Sequence, residues 1–248
     1  MRAFIDMLAP EADTIVVRRW LMPIKMKGEQ PLLVVETSQG QRGMLEAILA
    51  MPKADETFLG ELPLLPGGRF FSSDSAEEVV LPLRAAQALK IAPEDVGTVK
   101  IRFLSRVYTV VGLVDDERFR AITDLNNHPI LPIKAIQTQG WGQSEDDASV
   151  RMDPTEESTG VFCADLSALM IMPLETAAGL GAKPFSISVK LKPQTAIWAV
   201  VERILTVTNA KFFIGSRDSF TVGQDSKRTT PAGIYFIGSG YRTNVGGL

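Results

Sequence analysis

Between Thr98 and Asp116 the chain reads TVKIRFLSRVYTVVGLVDD, and this stretch limits the fold more than any other. Val99, Ile101 and Phe103 alternate with Thr98, Lys100 and Arg102, the period of a strand with one wet face. Its partner, Val107 to Val114, is apolar on both faces apart from Tyr108 and Thr109. A strand of that kind must be central and covered on both sides. Asp115 and Asp116 end it with a polar stop. Just upstream, a Gly-Arg-aromatic turn at Gly68 leads into a short strand, Val79 to Leu81, and a small helix, Leu83 to Leu89.

Other elements follow from the same periodicities. Met1 to Leu8 places Phe4, Ile5 and Leu8 on one helical side before Pro10 stops it. Thr14 to Trp20 predicts a strand with Trp20 as a sheet-face residue. Leu21 to Gly28 and Pro31 to Glu36 predict a further pair around a Lys27-Gly28-Glu29-Gln30 turn. Met44 to Met51 carries Leu45, Ile48 and Leu49 at helical spacing and predicts a helix closed by Pro52. Gly67-Gly68 predicts a turn with a positive φ, beside an Arg69 that satisfies turn carbonyls.

Glu117 to Thr159 is polar and reads as a long loop, within which Ile130 to Ile136 predicts an edge strand because Pro132 forbids a central one. Met170 to Met172 predicts a strand and Leu174 to Leu180 a helix. Phe185, Ile187, Val189 and Leu191 alternate with Ser186, Ser188 and Lys190, which predicts a strand with one buried face. Ile197, Val200, Val201, Ile204 and Leu205 then form a helical stripe, and Lys211 to Ser216 a second strand. No internal repeat stands out in the sequence.

The chemistry available is narrow. The 248 residues are 45% hydrophobic and 22% charged, enough for a proper core, and the formal net charge of -3 supplies no cationic footprint for nucleic acid. His128 is the only histidine and Cys163 the only cysteine, so neither a histidine-rich or thiolate metal site nor a disulfide framework can be assembled within one chain. A Cys163–His128 nucleophilic pair has no local signature, and a lone cysteine after Phe162 reads as a small buried hydrophobe.

Neither phosphate-loop glycine spacing nor a nucleophile elbow is present. Asp124, Asn126 and His128 begin like a calcium loop, but Pro129 stands where glycine is needed. Glu145, Asp146 and Asp147 read as a solvated loop. No run approaches the roughly 18 apolar residues that span a bilayer. No residue therefore qualifies as catalytic, cofactor-binding or metal-ligating.

Three blocks carry a family resemblance: GRFFSSD with the strand, helix and hairpin ending TVVGLVDD (Gly68 to Asp116), ALMIMPLETAAGL (Ala168 to Leu180), and FSISVKLKP with the helix and strand after it. In that order they resemble the MacB-type periplasmic core domain, the extracytoplasmic part of ABC transporter permeases of the macrolide-exporter, lipoprotein-release and FtsX-like class. The resemblance implies an α+β fold in which a mostly β, Sabre-like part is inserted into an open α/β sandwich, the Porter-like part. It divides the chain into a Porter-like remnant at 1–13, a Sabre-like part at 14–116, a polar insertion at 117–163, a Porter-like β-α-β part at 164–222 and a tail at 223–248 that approaches a membrane helix.

The same resemblance implies a non-catalytic, cofactor-free, periplasmic domain, membrane-anchored in the full-length protein, that transmits ATP-driven movement of membrane helices. Its partners would be an ABC ATPase subunit or domain, a second permease subunit, and a periplasmic or extracellular protein. By position, the loops expected to meet such a protein contain Lys27, Glu29, Gln30, Trp141, Glu145 and Asp146. Two other readings stay open: an enzyme of unfamiliar type using Asp115, Asp116 and Asp124 at the strand end, and a soluble ligand-binding protein built around an apolar pocket.

Overall fold

The computed structural model describes residues 2–22, 33–60, 62–123, 129–136, 161–193, 195, 199–200, 202–204, 212–216, 219–223 and 233–238. Its strands are β1 (Ala12–Leu21), β2 (Leu33–Thr37), β3 (Arg42–Leu45), β4 (Ala47–Met51), β5 (Glu78–Pro82), β6 (Lys100–Phe103), β7 (Arg106–Val114), β8 (Ile133–Ile136), β9 (Val161–Cys163), β10 (Leu169–Pro173), β11 (Lys183–Leu191), β12 (Phe212–Ser216), β13 (Ser219–Gly223) and β14 (Gly233–Gly238). The helices are short: α1 (Arg2–Leu8), α2 (Asp55–Phe58), α3 (Leu83–Ala88), α4 (Asp116–Arg120) and α5 (Leu174–Gly179).

Among the described residues, twelve strands join one mixed sheet in the order β13-β12-β14-β11-β1-β4-β10-β5-β7-β6-β2-β3, and β8 pairs with β9 apart from it. The α+β class expected from the sequence is therefore present as a mixed sheet with few helices.

Two cores cover opposite faces of the sheet's middle. Val79 and Leu81 of β5 enter one cluster, together with Ala85, Ala86 and Leu89 around α3 and Ala177 of α5. Val80, between them, enters the other, with Phe70, Phe71, Phe119 of α4, Leu131 and Leu166. A third cluster seals α1 and the helical residues at 199–200 and 202–204 to β11, through Leu8, Val189, Leu191, Val200 and Ile204. The central hairpin forms as expected: β6 pairs antiparallel with β7, and Val110 to Val114 is buried.

Two expectations are corrected. The segment Met44 to Met51 is not a helix but the end of β3 and the whole of β4. Ile48 and Ala50 belong to one core and Ala47, Leu49 and Met51 to the other, so a strand buried on both faces needs no polar alternation, and its apolar run imitates helical spacing. In β11 the expected wet face is covered at Ser186 and Ser188, which are buried, and stays exposed only at Lys190. Beyond the last predicted strand, β14 lies parallel between β11 and β12.

The sheet also contains a repeat the sequence conceals. Strand β5 with α3, and β10 with α5, are two strand-proline-leucine-helix units built alike. Val80 and Ile171 are Cα partners where the two strands meet antiparallel. Pro82 (φ -58, ψ 148) and Pro173 (φ -59, ψ 144) start the helices. Both helices close with the same six-residue bond, Ile91 N–H to Ala86 O at 2.8 Å and Ala182 N–H to Ala177 O at 3.0 Å, over a left-handed Lys90 or Gly181. Apart from a few shared residues such as Pro, Leu and Ala, the side chains differ, which is why no period shows in the sequence.

Candidate functional site

The strand-end carboxylates serve the backbone. Asp115 caps α4 by accepting from Arg118 N–H at 2.9 Å. Asp116 accepts from Arg84 N–H in α3 at 3.1 Å, and its carboxylate lies 3.5 Å from Arg84 Nε. Burial pushes the Asp116 carboxyl above the ordinary carboxylate range, against the Arg84 amide and guanidinium that lower it. The pair is thus divided between two helix starts. Asp124 and His128 lie outside the described residues, and Cys163 is buried in an apolar cluster. Among the described residues no three His, Cys, Asp or Glu side chains converge as a metal site.

The most buried charges are Arg18 of β1 and Asp55 at the start of α2, whose side chains are 2% and 0% exposed. Arg18 Nε donates to Asp55 Oδ2 at 2.9 Å and Nη2 to Oδ1 at 2.5 Å, a two-pronged contact, while Nη1 donates to Ser188 Oγ of β11 at 3.2 Å. The Phe58 ring lies 5.9 Å from the guanidinium. Burial, the largest influence, pushes the Asp55 carboxyl upward, and the charge and hydrogen bonds of Arg18 oppose it. Three charge-assisted contacts tie β1, α2 and β11 together. This knot is structural.

Arg69 behaves as expected of a turn arginine. Nη1 donates to Phe70 O at 2.9 Å and to Glu78 Oε2 at 3.1 Å, and Nη2 to Glu78 Oε1 at 2.6 Å. Its hydrogen bond holds the Glu78 carboxyl below the ordinary range. Gly67 has the positive φ, 84°, that the turn requires. Trp20 stacks on Phe185 with ring centroids 3.8 Å apart, the sheet-face role its strand predicts.

What remains open is one end of the sheet. In β2, β3, β6 and the start of β7 the inward side chains Val35, Leu45, Ile101, Phe103 and Tyr108 join the first core. On the other face Val34 (60% exposed), Met44 (60%) and Val107 (43%) are left uncovered among the described residues. Leu104, in the turn between β6 and β7, is 57% exposed. Arg42, Lys100 and Arg102 are exposed on the same face, with Glu36 3.7 Å from Arg42 Nε. This is the one contiguous apolar surface with a charged surround among the described residues. The alternation in Val99 to Phe103 announces its cations, but nothing in the sequence marks Val34, Met44 and Val107 as sharing a face. The residues expected to meet a partner, Lys27, Glu29, Gln30, Trp141, Glu145 and Asp146, all lie outside the described residues.

No family model matches the chain, and no curated protein matches it significantly. Among solved structures it is similar to the periplasmic region of MacB from Actinobacillus actinomycetemcomitans, with a TM-score of 0.46 and 13% identity over 83% of this chain and 73% of that one. It is also similar to the extracellular domain of the noncanonic ABC-type transporter YknZ from Gram-positive bacteria, with a TM-score of 0.45 and 9% identity over 90% of this chain and 88% of that one.

Proposed function

We propose that the chain is a non-catalytic extracytoplasmic domain of an ABC permease subunit, which carries ATP-driven movement of membrane helices to a protein outside the membrane. The observation that supports this reading is the placement of the three family-like blocks. They are scattered in sequence, yet β10 of the second block pairs with β5 of the first, β5 pairs with β7, and β11 of the third reaches β10 through β1 and β4. The first two blocks thus meet directly at the centre of one sheet, and the third joins the same sheet with two strands between.

A sheet of twelve strands spans roughly 50 Å from edge to edge at about 4.8 Å per strand. Two cores and the Arg18–Asp55 knot stiffen it, which suits a strut that moves as a body. The carboxylates of the strand end are occupied with helix starts, so the enzyme reading draws no support from them. Within this proposal the Sabre-like part runs to Asp116 and the Porter-like part resumes at Ala164. The partners are an ABC ATPase, a second permease subunit and an external protein. No described helix is long and apolar enough to cross a membrane.

The test is the native reading frame around this chain. Apolar runs of about 20 residues on both sides, and co-purification of the detergent-solubilised full-length protein with an ABC ATPase, are the expected results. Polar flanks, or a full-length protein that stays in the aqueous fraction, overturn the proposal.

A further inference from the structure

We propose that the open face of β3, β2, β6 and β7 docks an acidic amphipathic helix of a partner protein, aliphatic along one side and flanked there by carboxylates. This rests on the reading of the chain as a domain that acts on an external protein, and it names the surface and the chemistry of that contact.

The register lays the face out in two rows. Val34 is the Cα partner of Met44, and the chain turns at Leu104 immediately beyond Phe103, the partner of Val35. Val34 and Met44 form an exposed apolar pair at this end of the sheet, and the exposed Leu104 stands in the turn beside them. In the next row Arg42 partners Glu36, Glu36 partners Arg102, and Arg102 partners Val107. Lys100 lies further along the same face of β6. Three cations thus surround aliphatic side chains, with one carboxylate among them, on a chain whose formal net charge is -3. The local sign runs against the global one.

Leu104 supplies a second, independent observation. It and Ser105 form the turn with φ 47° and 64°, a left-handed conformation that glycine and asparagine adopt readily and branched apolar residues do not. Leu104 is also 57% exposed. Neither the turn nor the core gains from leucine here, and an unfavourable backbone state kept at an exposed apolar residue is the signature of a contact surface.

The chemistry selects among occupants. An aliphatic centre with an arginine rim matches protein interfaces, which favour Met and Arg over Lys. Anionic membranes recruit denser basic clusters, of about four to eight residues. Nucleic acid binding wants aromatic platforms, and this face has none. Only four large aliphatic side chains, Val34, Met44, Leu104 and Val107, are exposed here, few enough for one short helix to cover, and so small a patch implies a weak, reversible contact.

The test uses the isotope-labelled 248-residue chain. The probes are a synthetic helical peptide with leucine at helical spacing between glutamates, the same peptide with lysine for glutamate, and phosphatidylglycerol vesicles. The glutamate peptide is expected to shift the amide signals of Val34, Met44, Leu104 and Val107, and the pair Arg42→Glu/Arg102→Glu to weaken its binding about ten-fold. Arg118→Glu, on α4, is expected to leave binding unchanged. Leu104→Asn is expected to keep or raise thermal stability while weakening the peptide, an opposition that a merely structural leucine would not show. Equal binding of the lysine peptide, binding of the vesicles alone, shifts elsewhere on the molecule, or no binding each overturn the proposal. Apolar flanks in the gene with no peptide binding overturn the docking surface alone, and polar flanks with binding retained overturn the permease reading alone.

Discussion

Replacing Asp55 by asparagine leaves the Arg18 guanidinium in the protein interior with its counter-charge removed and its volume unchanged. Arg18 is 2% exposed and Asp55 0%, so solvent cannot take over the lost partner. Of the two hydrogen bonds to the carboxylate, at 2.9 and 2.5 Å, one is weakened to a bond with a neutral amide oxygen and the other is lost, because the amide NH2 faces a guanidinium that can only donate; Ser188 Oγ at 3.2 Å is unchanged. Breaking one side of a buried ion pair costs about 3–5 kcal/mol. For a chain of this size that corresponds to a fall in Tm of roughly 6–20 °C. Urea unfolding followed by tryptophan fluorescence reads the change directly.

The double variant Arg18→Met/Asp55→Leu removes both charges and fills the space with apolar atoms. It is expected to lie within about 1–2 kcal/mol of the parent, on either side, and so to recover most of what Asp55→Asn loses. Two results refute the reasoning: a loss under about 1 kcal/mol for Asp55→Asn, which would mean water reaches the pair, or a double variant as unstable as the sum of the singles.

Gly112 of β7 allows the turn at Leu65 to Arg69 to lie against the strand. A Cβ there would meet Arg69 O at 2.5 Å, a backbone atom that cannot swing aside, so Gly112→Ala is expected to cost about 3 kcal/mol in chemical denaturation. At Gly97, with φ 88° and open space around it, alanine is expected to cost only about 1 kcal/mol, from backbone strain alone. Glu78 has a folded-state pKa below its ordinary 4.5, so its pairing stabilises the fold above that pH and is lost as pH falls through the lower folded value. Glu78→Gln should therefore flatten the acid side of a Tm-versus-pH curve as pH falls below the ordinary 4.5, and an unchanged curve contradicts the Arg69–Glu78 linkage. Ile48→Ala and Leu49→Ala should each lose about 2–5 kcal/mol, since the two side chains are fully buried in opposite cores, and a loss under about 1 kcal/mol at either position contradicts a strand covered on both faces.

The sequence by itself determined the elements whose periodicity has one meaning. The hairpin of β6 and β7, the strand-proline-helix starts at Pro82 and Pro173, the alternation in β11 and the stripe through Val200 and Ile204 were legible because side chains two or three to four residues apart reveal one face locally. It also bounded the chemistry, with one histidine and one cysteine. Tertiary structure decided the rest.

A fully buried strand such as β4 carries no alternation, so only its seat between β1 and β10 distinguishes it from a helix. Ser186 and Ser188 look solvated until Arg18 and the neighbouring strand cover them. Val34, Met44 and Val107 come from three separate stretches of chain, and strand register alone brings them to one face. The physical reason is common to all three cases: local periodicity records which side of an element is apolar, while strand order and register decide what that side meets.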